Sequence, residues 1–254
     1  MSSWQRTLIL FFMSFTFSGQ CSYAASALPD GFVRLSDIGP DVAQDMRYSY
    51  RENFTGRAVP GYAGPACILA RPVAEALTRV QARLKPDGLS LLVFDCYRPK
   101  RAVAAFMQWA RRTTEPDTSK AYFPHVDKSK LVRQGYIAEV SSHSRGVAVD
   151  LTIIRHHSSA PSENRPETTT SEGPCTGSSV NHEAGVPLDM GTTWDCFDIL
   201  SHTRNPDVNS DAKKNRALLL RVMTAEGFEN YKREWWHFSL PVRGFDEAMD
   251  FVVE

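Results

Sequence analysis

Apolar side chains recur at helical spacing in three stretches of the chain, and each stretch is predicted to form an amphipathic helix. The stretches are residues 71–84, a segment that begins at Arg98-Pro99, and residues 211–226. Gly227 follows the third stretch directly and suits the C-terminal end of a helix.

Shorter apolar runs between these helices predict β-strands. Residues 89–94 form a continuous apolar run after a turn, and residues 146–154 alternate and are rich in β-branched side chains. Residues 229–231 and 235–240 predict a hairpin near the end of the chain. Because helices and strands do not alternate regularly, the pattern favours an α+β fold in one domain.

Three other segments are polar or rich in glycine and proline. Residues 28–66 predict an extended arm with short strands, and residues 113–136 predict irregular structure. Residues 155–188 contain many Ser, Thr, Glu, Pro and Gly residues. A segment of this length without regular structure is uncommon inside a domain and is often functional, so we expect an insertion that lies over a site.

The N-terminus differs from the rest of the chain. Arg6 is its only charge, and residues 8–17 form an apolar run that is shorter than the ~20 residues of a membrane-spanning helix. Small residues follow, and Ala24 and Ala27 both end motifs that resemble signal-peptidase sites. We therefore predict a signal peptide over residues 1–27 and a mature domain over residues 28–254. The alternative is an uncleaved anchor or a buried N-terminal helix.

Composition and charge narrow the class of protein. The 254 residues are 42% hydrophobic and 23% charged, which is typical of a globular protein. Lys and Arg together number 29, and so do Asp and Glu, so the net charge is zero. This balance offers no broad basic footprint for a nucleic acid or an anionic membrane, and it leaves open only a local basic patch. Neither a nucleic acid partner nor stable membrane insertion after signal cleavage is expected.

Removal of the signal peptide would remove Cys21 and leave four cysteines. An even number in an exported protein suggests two disulfides, for which three pairings exist. We favour Cys67 with Cys96 and Cys175 with Cys196, because each pair closes a short loop. Buried free thiols are the alternative. Zinc binding by these four is disfavoured because none of them forms a CxxC pair.

Two segments carry residues suited to metal chemistry. In the first, His143 and Asp150 flank Gly146, and a bend at the glycine would bring both side chains to one ion. Asp150 lies in an otherwise apolar strand, where a buried carboxylate needs a metal or a partner. A structural salt bridge is the alternative for Asp150.

The second segment is Glu234-Trp-Trp-His237. Three protein ligands, His143, Asp150 and His237, with Glu234 as a base would complete a hydrolytic zinc site. Residues three apart on a strand face opposite sides, so Glu234 would have to lie in a bend or loop. A packed edge strand with a core histidine is the alternative, and the same ligands also suit iron or cobalt.

Taken together, these motifs resemble the zinc D-alanyl-D-alanine dipeptidases, a family that includes enzymes of vancomycin resistance. The resemblance rests on Ser-x-His-Ser-Arg-Gly-x-Ala-Val-Asp over residues 141–150 and on Glu-Trp-Trp-His-Phe over residues 234–238. Three further segments agree in order along the chain. They are Arg47-Tyr48 with Asn53-Phe-Thr-Gly56, Asp95-Cys-Tyr-Arg-Pro99, and Asp189-Met-Gly-Thr192 with Asp195.

The resemblance implies a fold and a set of roles. The fold would be hedgehog/DD-peptidase-like, an antiparallel sheet with flanking helices, and would hold one zinc ion per chain. Glu234 would be the general base and Arg98 would stabilise the oxyanion. Tyr48 and Asp189 would bind the substrate ammonium, and Ser141 would touch the substrate amide.

The function that follows is hydrolysis of the small dipeptide D-Ala-D-Ala to two D-alanine molecules in the periplasm, in peptidoglycan turnover or use of the dipeptide. Two alternatives remain, a zinc D,D-carboxypeptidase that trims peptidoglycan stem peptides and a non-enzymatic zinc- or peptide-binding module. The other histidines are not expected to bind the catalytic metal. They are His125, His156, His157, His182 and His202.

Overall fold

The computed structural model describes residues 27–112, 117–155, 174–176 and 184–254. The helices in these ranges are α1 (Leu35–Ile38), α2 (Arg71–Leu84), α3 (Lys100–Arg111) and α4 (Ser210–Thr224). The strands are β1 (Phe32–Arg34), β2 (Ala43–Gln44), β3 (Ile68–Ala70), β4 (Leu89–Asp95), β5 (Ala148–Arg155), β6 (Val186–Pro187), β7 (Glu229–Asn230) and β8 (His237–Ser239).

The three amphipathic helices predicted from the sequence are present as α2, α3 and α4, and the α+β class is confirmed. Helix α2 has the predicted bounds, and α3 begins directly after Pro99. Helix α4 begins one residue early because Asn209 caps it, accepting a hydrogen bond from the backbone N–H of Ala212 at 2.8 Å.

The polar segments contain more local structure than the pattern predicted. The N-terminal arm holds β1, α1, β2 and a 3-10 helix, Arg47–Ser49. The described part of the second segment, residues 117–136, contains two 3-10 helices, Asp117–Tyr122 and Lys128–Lys130. Within the predicted insertion, β6 pairs with the outer end of β5, and most of the remaining insertion lies outside the described residues.

Strands β4 and β5 pair along their length at the centre of the main sheet, and β8 and β7 follow on the other side of β5. These pairs are antiparallel, as expected, and β7 and β8 form the predicted hairpin. The expectation of an antiparallel sheet is wrong at one edge, where β2 pairs with β4 in parallel. The long connection between them, which contains β3 and α2, makes this parallel crossover feasible.

The strand register aligns an acid on β4, an acid on β5 and a histidine on β8. Asp95 on β4 lies opposite Asp150 on β5, and Asp150 lies opposite His237 on β8. Residues directly opposite one another on antiparallel strands project to the same face. The sheet therefore gathers these three side chains in one row.

Two disulfides hold segments next to this sheet. Cys67 pairs with Cys96, and Cys175 pairs with Cys196, with Cα–Cα distances of 5.2 and 5.3 Å. This is the pairing favoured from the sequence. Cys96 directly follows Asp95, and Cys196 directly follows Asp195, so each disulfide adjoins an acidic residue.

Within the ranges that the structure describes, no helix is long and apolar enough to cross a membrane. Of the predicted signal peptide, residues 1–26 lie outside the described residues.

Candidate metal centre and substrate site

The chain bends between the first two predicted ligands at the position expected from the sequence. Residues Ser142–Arg145 form a 3-10 helix that ends at Gly146, whose φ of 68° is in the left-handed region. A Cβ atom at Gly146 would lie 2.4 Å from Cε1 of Phe32, so a larger side chain does not fit. The bend turns the chain into β5 and brings His143 towards Asp150.

The side chains of His143, Asp150 and His237 meet at one point. Asp150 Oδ1 lies 3.2 Å from His143 Nε2 and 2.9 Å from His237 Nδ1, and the two ring nitrogens are 3.1 Å apart. One ligand atom from each residue lies within 4.8 Å of the others. Two imidazole nitrogens and one carboxylate oxygen are a donor set that suits a divalent transition metal.

The orientation of His143 favours metal binding. Its Nδ1 lies 2.7 Å from the backbone carbonyl oxygen of Cys96, which can only accept a hydrogen bond, so the proton is on Nδ1. The lone pair of Nε2 then points at the centre of the cluster. A second hydrogen bond of this kind fixes the tautomer and the ring plane of a histidine ligand. The residues present therefore fit a metal ion.

The protonation tendencies of the other two ligands agree with this arrangement. Burial lowers the pKa of His237, which favours the neutral imidazole that a metal requires. Burial alone would raise the pKa of Asp150, but the adjacent imidazoles of His143 and His237 lower it by more. The net effect is a lowered pKa, so Asp150 is a carboxylate.

Glu234 lies in the turn that precedes β8. The backbone N–H of His237 donates to the carbonyl oxygen of Glu234 at 3.3 Å, and the strand begins only at His237. This is the loop position that the sequence required for Glu234. The residue is only 8% exposed. Burial raises its pKa well above the ordinary value, and the charges of Asp150 and Asp195 raise it further.

Arg98 lies beside the metal cluster, with its guanidinium between acidic and aromatic neighbours. Its Nε donates to Asp95 Oδ2 at 2.9 Å, and its Nη2 forms ion pairs with the same oxygen at 2.8 Å and with Asp150 Oδ2 at 3.6 Å. The guanidinium carbon lies 5.2 Å from the ring centre of Tyr48 and 5.0 Å from that of Phe106. These contacts hold a positive charge next to the metal ligands.

Tyr48 meets a different carboxylate from the one expected. Its hydroxyl donates to Asp195 Oδ2 at 2.8 Å, and both residues are buried. Asp195 has a φ of 59°, and among the described residues no other non-glycine residue has a positive φ. Burial raises the pKa of Asp195 well above its ordinary value, and the charge of Asp150 adds to this. The pair therefore lies within electrostatic reach of the metal cluster.

Asp189, which the sequence paired with Tyr48, accepts hydrogen bonds from two other groups in the structure. Its Oδ1 accepts the backbone N–H of Gly191 at 2.8 Å, and its Oδ2 accepts the amide of Asn209 at 2.9 Å. Both oxygens thus hold a turn against the start of α4. Asp189 and Asp195 belong to the same sequence motif, and spacing alone could not distinguish them.

Ser141 lies at the start of the 3-10 helix that carries His143. Its Oγ accepts the backbone N–H of His143 at 3.3 Å, and the side chain is partly exposed. Its hydroxyl hydrogen is therefore available for another partner, as a contact with a substrate amide would need.

Two of the other histidines lie in the described part of the chain, and each contacts a different residue. His125 is 2.7 Å from Asp198, and His202 is 3.3 Å from the hydroxyl of Tyr136. Neither belongs to the metal cluster. His156, His157 and His182 lie outside the described residues.

Two side chains near the cluster were not singled out from the sequence. Asp95 was quoted only as part of a motif, although it ends a buried strand and touches both Arg98 and His143. The hydroxyl of Tyr62 donates to Asp95 Oδ1 at 2.7 Å. The position of Asp95 at the end of an apolar run could have indicated a functional residue, whereas nothing in the sequence distinguished Tyr62.

Comparison with known proteins agrees with the geometry. The family model described as D-Ala-D-Ala dipeptidase matches residues 29–163 and 155–253. A D-alanyl-D-alanine dipeptidase of Enterococcus faecium is 34% identical over 225 residues, which cover 88% of this chain and 98% of the relative. An enzyme of the same name from Enterococcus faecalis is 32% identical over 84% of this chain and 93% of the relative. Another from Escherichia coli is 31% identical over 82% of this chain and 84% of the relative.

The fold, the buried His-Asp-His cluster and these similarities define a metallopeptidase. Within that class, the chain belongs to the D-Ala-D-Ala dipeptidase family, because the family match covers nearly all of the chain after residue 28.

Proposed function

We propose that this protein hydrolyses the peptide bond of D-Ala-D-Ala with the help of one zinc ion and releases two D-alanine molecules. The observation that carries the proposal is the convergence of His143, Asp150 and His237 within 4.8 Å, beside the buried Glu234 and Arg98. The choice of D-Ala-D-Ala as the substrate is supported by relatives that bear the name D-alanyl-D-alanine dipeptidase.

Zinc would be held by His143 Nε2, Asp150 and His237 Nδ1, which are the ligand types and the ligand number of catalytic zinc sites. A bound zinc ion supplies a Lewis acid, which makes a coordinated water more acidic and polarises a carbonyl group.

Glu234 would be the general base of the reaction. Its carboxylate accepts the proton of the attacking water and then delivers that proton to the amine that leaves. Burial and neighbouring negative charge raise its pKa, which makes the carboxylate a better proton acceptor. Arg98 would donate hydrogen bonds to the carbonyl oxygen as negative charge develops on it. Its guanidinium keeps a full charge at any working pH.

Asp195 and Tyr48 would bind the free ammonium group of the dipeptide. An ammonium donates three hydrogen bonds, and the Asp195 carboxylate with the Tyr48 oxygen offers acceptors in a buried setting. Asp195 replaces Asp189 in this role. Ser141 would contact the substrate amide. Recognition of a free ammonium would limit the enzyme to dipeptides and would disfavour stem peptides whose amino group is blocked.

We further propose that residues 1–27 are a signal peptide and that residues 28–254 act in the periplasm. The two disulfides support this location, since such bonds form and persist in oxidising compartments. A periplasmic enzyme would not reach the cytoplasmic pool of D-Ala-D-Ala, so a role in peptidoglycan turnover fits better than vancomycin resistance. N-terminal sequencing of the protein from the periplasmic fraction tests this, and an intact N-terminus in the cytoplasm would refute it.

The catalytic proposal is tested by D-alanine release from D-Ala-D-Ala and from N-acetyl-D-Ala-D-Ala, each with and without a chelator. We expect chelator-sensitive cleavage of the free dipeptide and little cleavage of the acetylated one. Comparable cleavage of both would indicate a D,D-carboxypeptidase. Cleavage of neither by zinc-loaded protein would refute the proposed activity.

A further inference from the structure

Asp95 is a buried acid for which the proposed reaction has so far given no role. The residue is 0% exposed, at the end of β4. Its Oδ1 accepts a hydrogen bond from the hydroxyl of Tyr62 at 2.7 Å. Its Oδ2 accepts one from Nε of Arg98 at 2.9 Å and forms an ion pair with Nη2 at 2.8 Å. A buried carboxylate is costly unless it is paired in this way, so its retention beside a metal cluster calls for a function.

We propose that Asp95 is a positioning residue that orients both the oxyanion donor Arg98 and the metal ligand His143, and that Tyr62 holds Asp95 in place. This inference rests on the proposed function, because it assigns Asp95 to the same site. Asp95 touches neither the substrate nor the metal in this account and acts only through its two neighbours.

The contact with Arg98 fixes the plane of the guanidinium. Because Nε donates a hydrogen bond to Asp95 Oδ2 and Nη2 forms an ion pair with the same oxygen, rotation of the guanidinium would lose both contacts. The rings of Tyr48 and Phe106 lie about the same guanidinium carbon. The remaining N–H groups of Arg98 are therefore presented in one direction, with Nη2 3.6 Å from Asp150.

The contact with His143 supports the tautomer that a metal needs. Asp95 Oδ2 lies 3.4 Å from His143 Nδ1, whose proton is donated to the carbonyl oxygen of Cys96. A negative charge at this distance favours the proton on Nδ1 and makes Nε2 a stronger ligand. The carboxylate and the carbonyl come from consecutive residues, and the disulfide to Cys67 ties that segment down.

Tyr62 completes the arrangement from the opposite side. Its ring is buried, and its backbone bridges to Val253 near the end of the chain. The N–H of Val253 donates to the carbonyl oxygen of Gly61 at 2.9 Å, which fixes the position of the tyrosine. Tyr62 thus donates its hydrogen bond to Asp95 Oδ1, so that Asp95 Oδ2 is left to contact Arg98 and His143.

The link to Arg98 is tested by a double-mutant cycle of Asp95→Asn, Arg98→Lys and the double variant. Asp95→Asn should lower kcat about 10–100-fold with little change in KM, the range seen when such supporting residues are removed. If Asp95 acts through Arg98, the double variant should be hardly slower than Arg98→Lys alone. Additive losses in kcat would overturn this half of the proposal.

The link to His143 is tested without substrate, so that it is independent of the proposed activity. Competition with a chromophoric chelator should show that Asp95→Asn binds zinc at least about tenfold more weakly than the wild type. The visible absorption spectrum of the cobalt-substituted protein should change as well. Unchanged affinity and an unchanged spectrum would overturn this half.

Tyrosine variants supply a matched pair. Tyr62→Phe should lower kcat and zinc affinity in the same direction as Asp95→Asn but less. Tyr97→Phe should leave both unchanged, because the hydroxyl of Tyr97 donates to the carbonyl oxygen of Phe251 at 3.2 Å and not to Asp95. If Asp95→Asn does not fold, Tyr62→Phe carries the test, and wild-type kcat and zinc affinity in that variant would refute the proposal.

Discussion

The two halves of the candidate site are built in different ways. The metal side, which comprises His143, Asp150 and His237, is tied to paired strands, since Asp150 and His237 are direct neighbours in the register of β5 and β8. The amine side, which comprises Tyr48 and Asp195, comes from a 3-10 helix and from a loop before α4. Asp195 also has a left-handed backbone conformation that residues other than glycine seldom adopt.

This difference shows what positions each half. On the metal side, strand pairing and the bend at Gly146 determine the geometry, and the Cys67–Cys96 disulfide reinforces its edge. On the amine side no strand pairing holds Asp195, and the Cys175–Cys196 disulfide is the covalent tie next to it. Loss of each disulfide should therefore impair a different half of the site.

The largest effect should come from Glu234, which is proposed to act as the general base without binding the metal. Glu234→Gln should lower kcat by about 10²–10⁴-fold, because the proton acceptor is lost. Zinc content should stay near one per chain. Steady-state kinetics with metal analysis checks this. Loss of the metal, or a kcat within tenfold of the wild type, would contradict the assigned role.

A substitution on the amine side should lower activity on the dipeptide without weakening zinc binding on the metal side. Asp195→Asn should lower kcat/KM for D-Ala-D-Ala by roughly 10–100-fold, because a charged hydrogen bond contributes about 1.5–3 kcal/mol. Zinc affinity should change little. Asp189→Asn is the matched control and should change kcat/KM less than about threefold, with a loss of about 1 kcal/mol in the free energy of unfolding. The opposite ranking of the two variants would restore Asp189 to the site.

Removal of either disulfide should lower the free energy of unfolding by a similar amount, but the two removals should change the kinetics differently. They close loops of 29 and 21 residues, so removal of either by paired Cys→Ser substitutions should cost about 3 kcal/mol of unfolding free energy. Loss of Cys175–Cys196 should raise KM more than loss of Cys67–Cys96, which should instead weaken zinc binding. Denaturant unfolding and kinetics on both variants check this. An identical kinetic change in the two disulfide variants would contradict the assignment of one disulfide to each half of the site.

The smallest effect should be a shift in pH dependence. The negative charge of Asp195 raises the pKa of Glu234. A general base acts in its deprotonated form, so activity falls as pH drops through that pKa. Asp195→Asn should therefore move the acid limb of kcat/KM to lower pH, by up to about one unit. A shift to higher pH would contradict the electrostatic coupling.

The parts of this molecule that follow from local pattern were predictable. Helix α2, the strands that became β4 and β5, and the bend at Gly146 all have short-range signals in the sequence. The loop position of Glu234 followed because two residues three apart on a strand cannot share a face.

The parts that depend on distant contacts were not predictable. Tyr48 and Asp195 are 147 residues apart, and no local spacing shows that Asp195 rather than Asp189 turns towards the tyrosine. The parallel pairing of β2 depends on where the chain arrives after a long crossover. Tyr62 reaches Asp95 only because the end of the chain packs beside it.

The most direct test is a crystal structure of residues 28–254 with zinc and a non-hydrolysable analogue of D-Ala-D-Ala, with data collected at the zinc absorption edge. We predict one anomalous peak bound by His143, Asp150 and His237, and the ammonium of the analogue within hydrogen-bond distance of Asp195 and Tyr48. A zinc ion on other residues, or an ammonium bound by Asp189, would contradict the account.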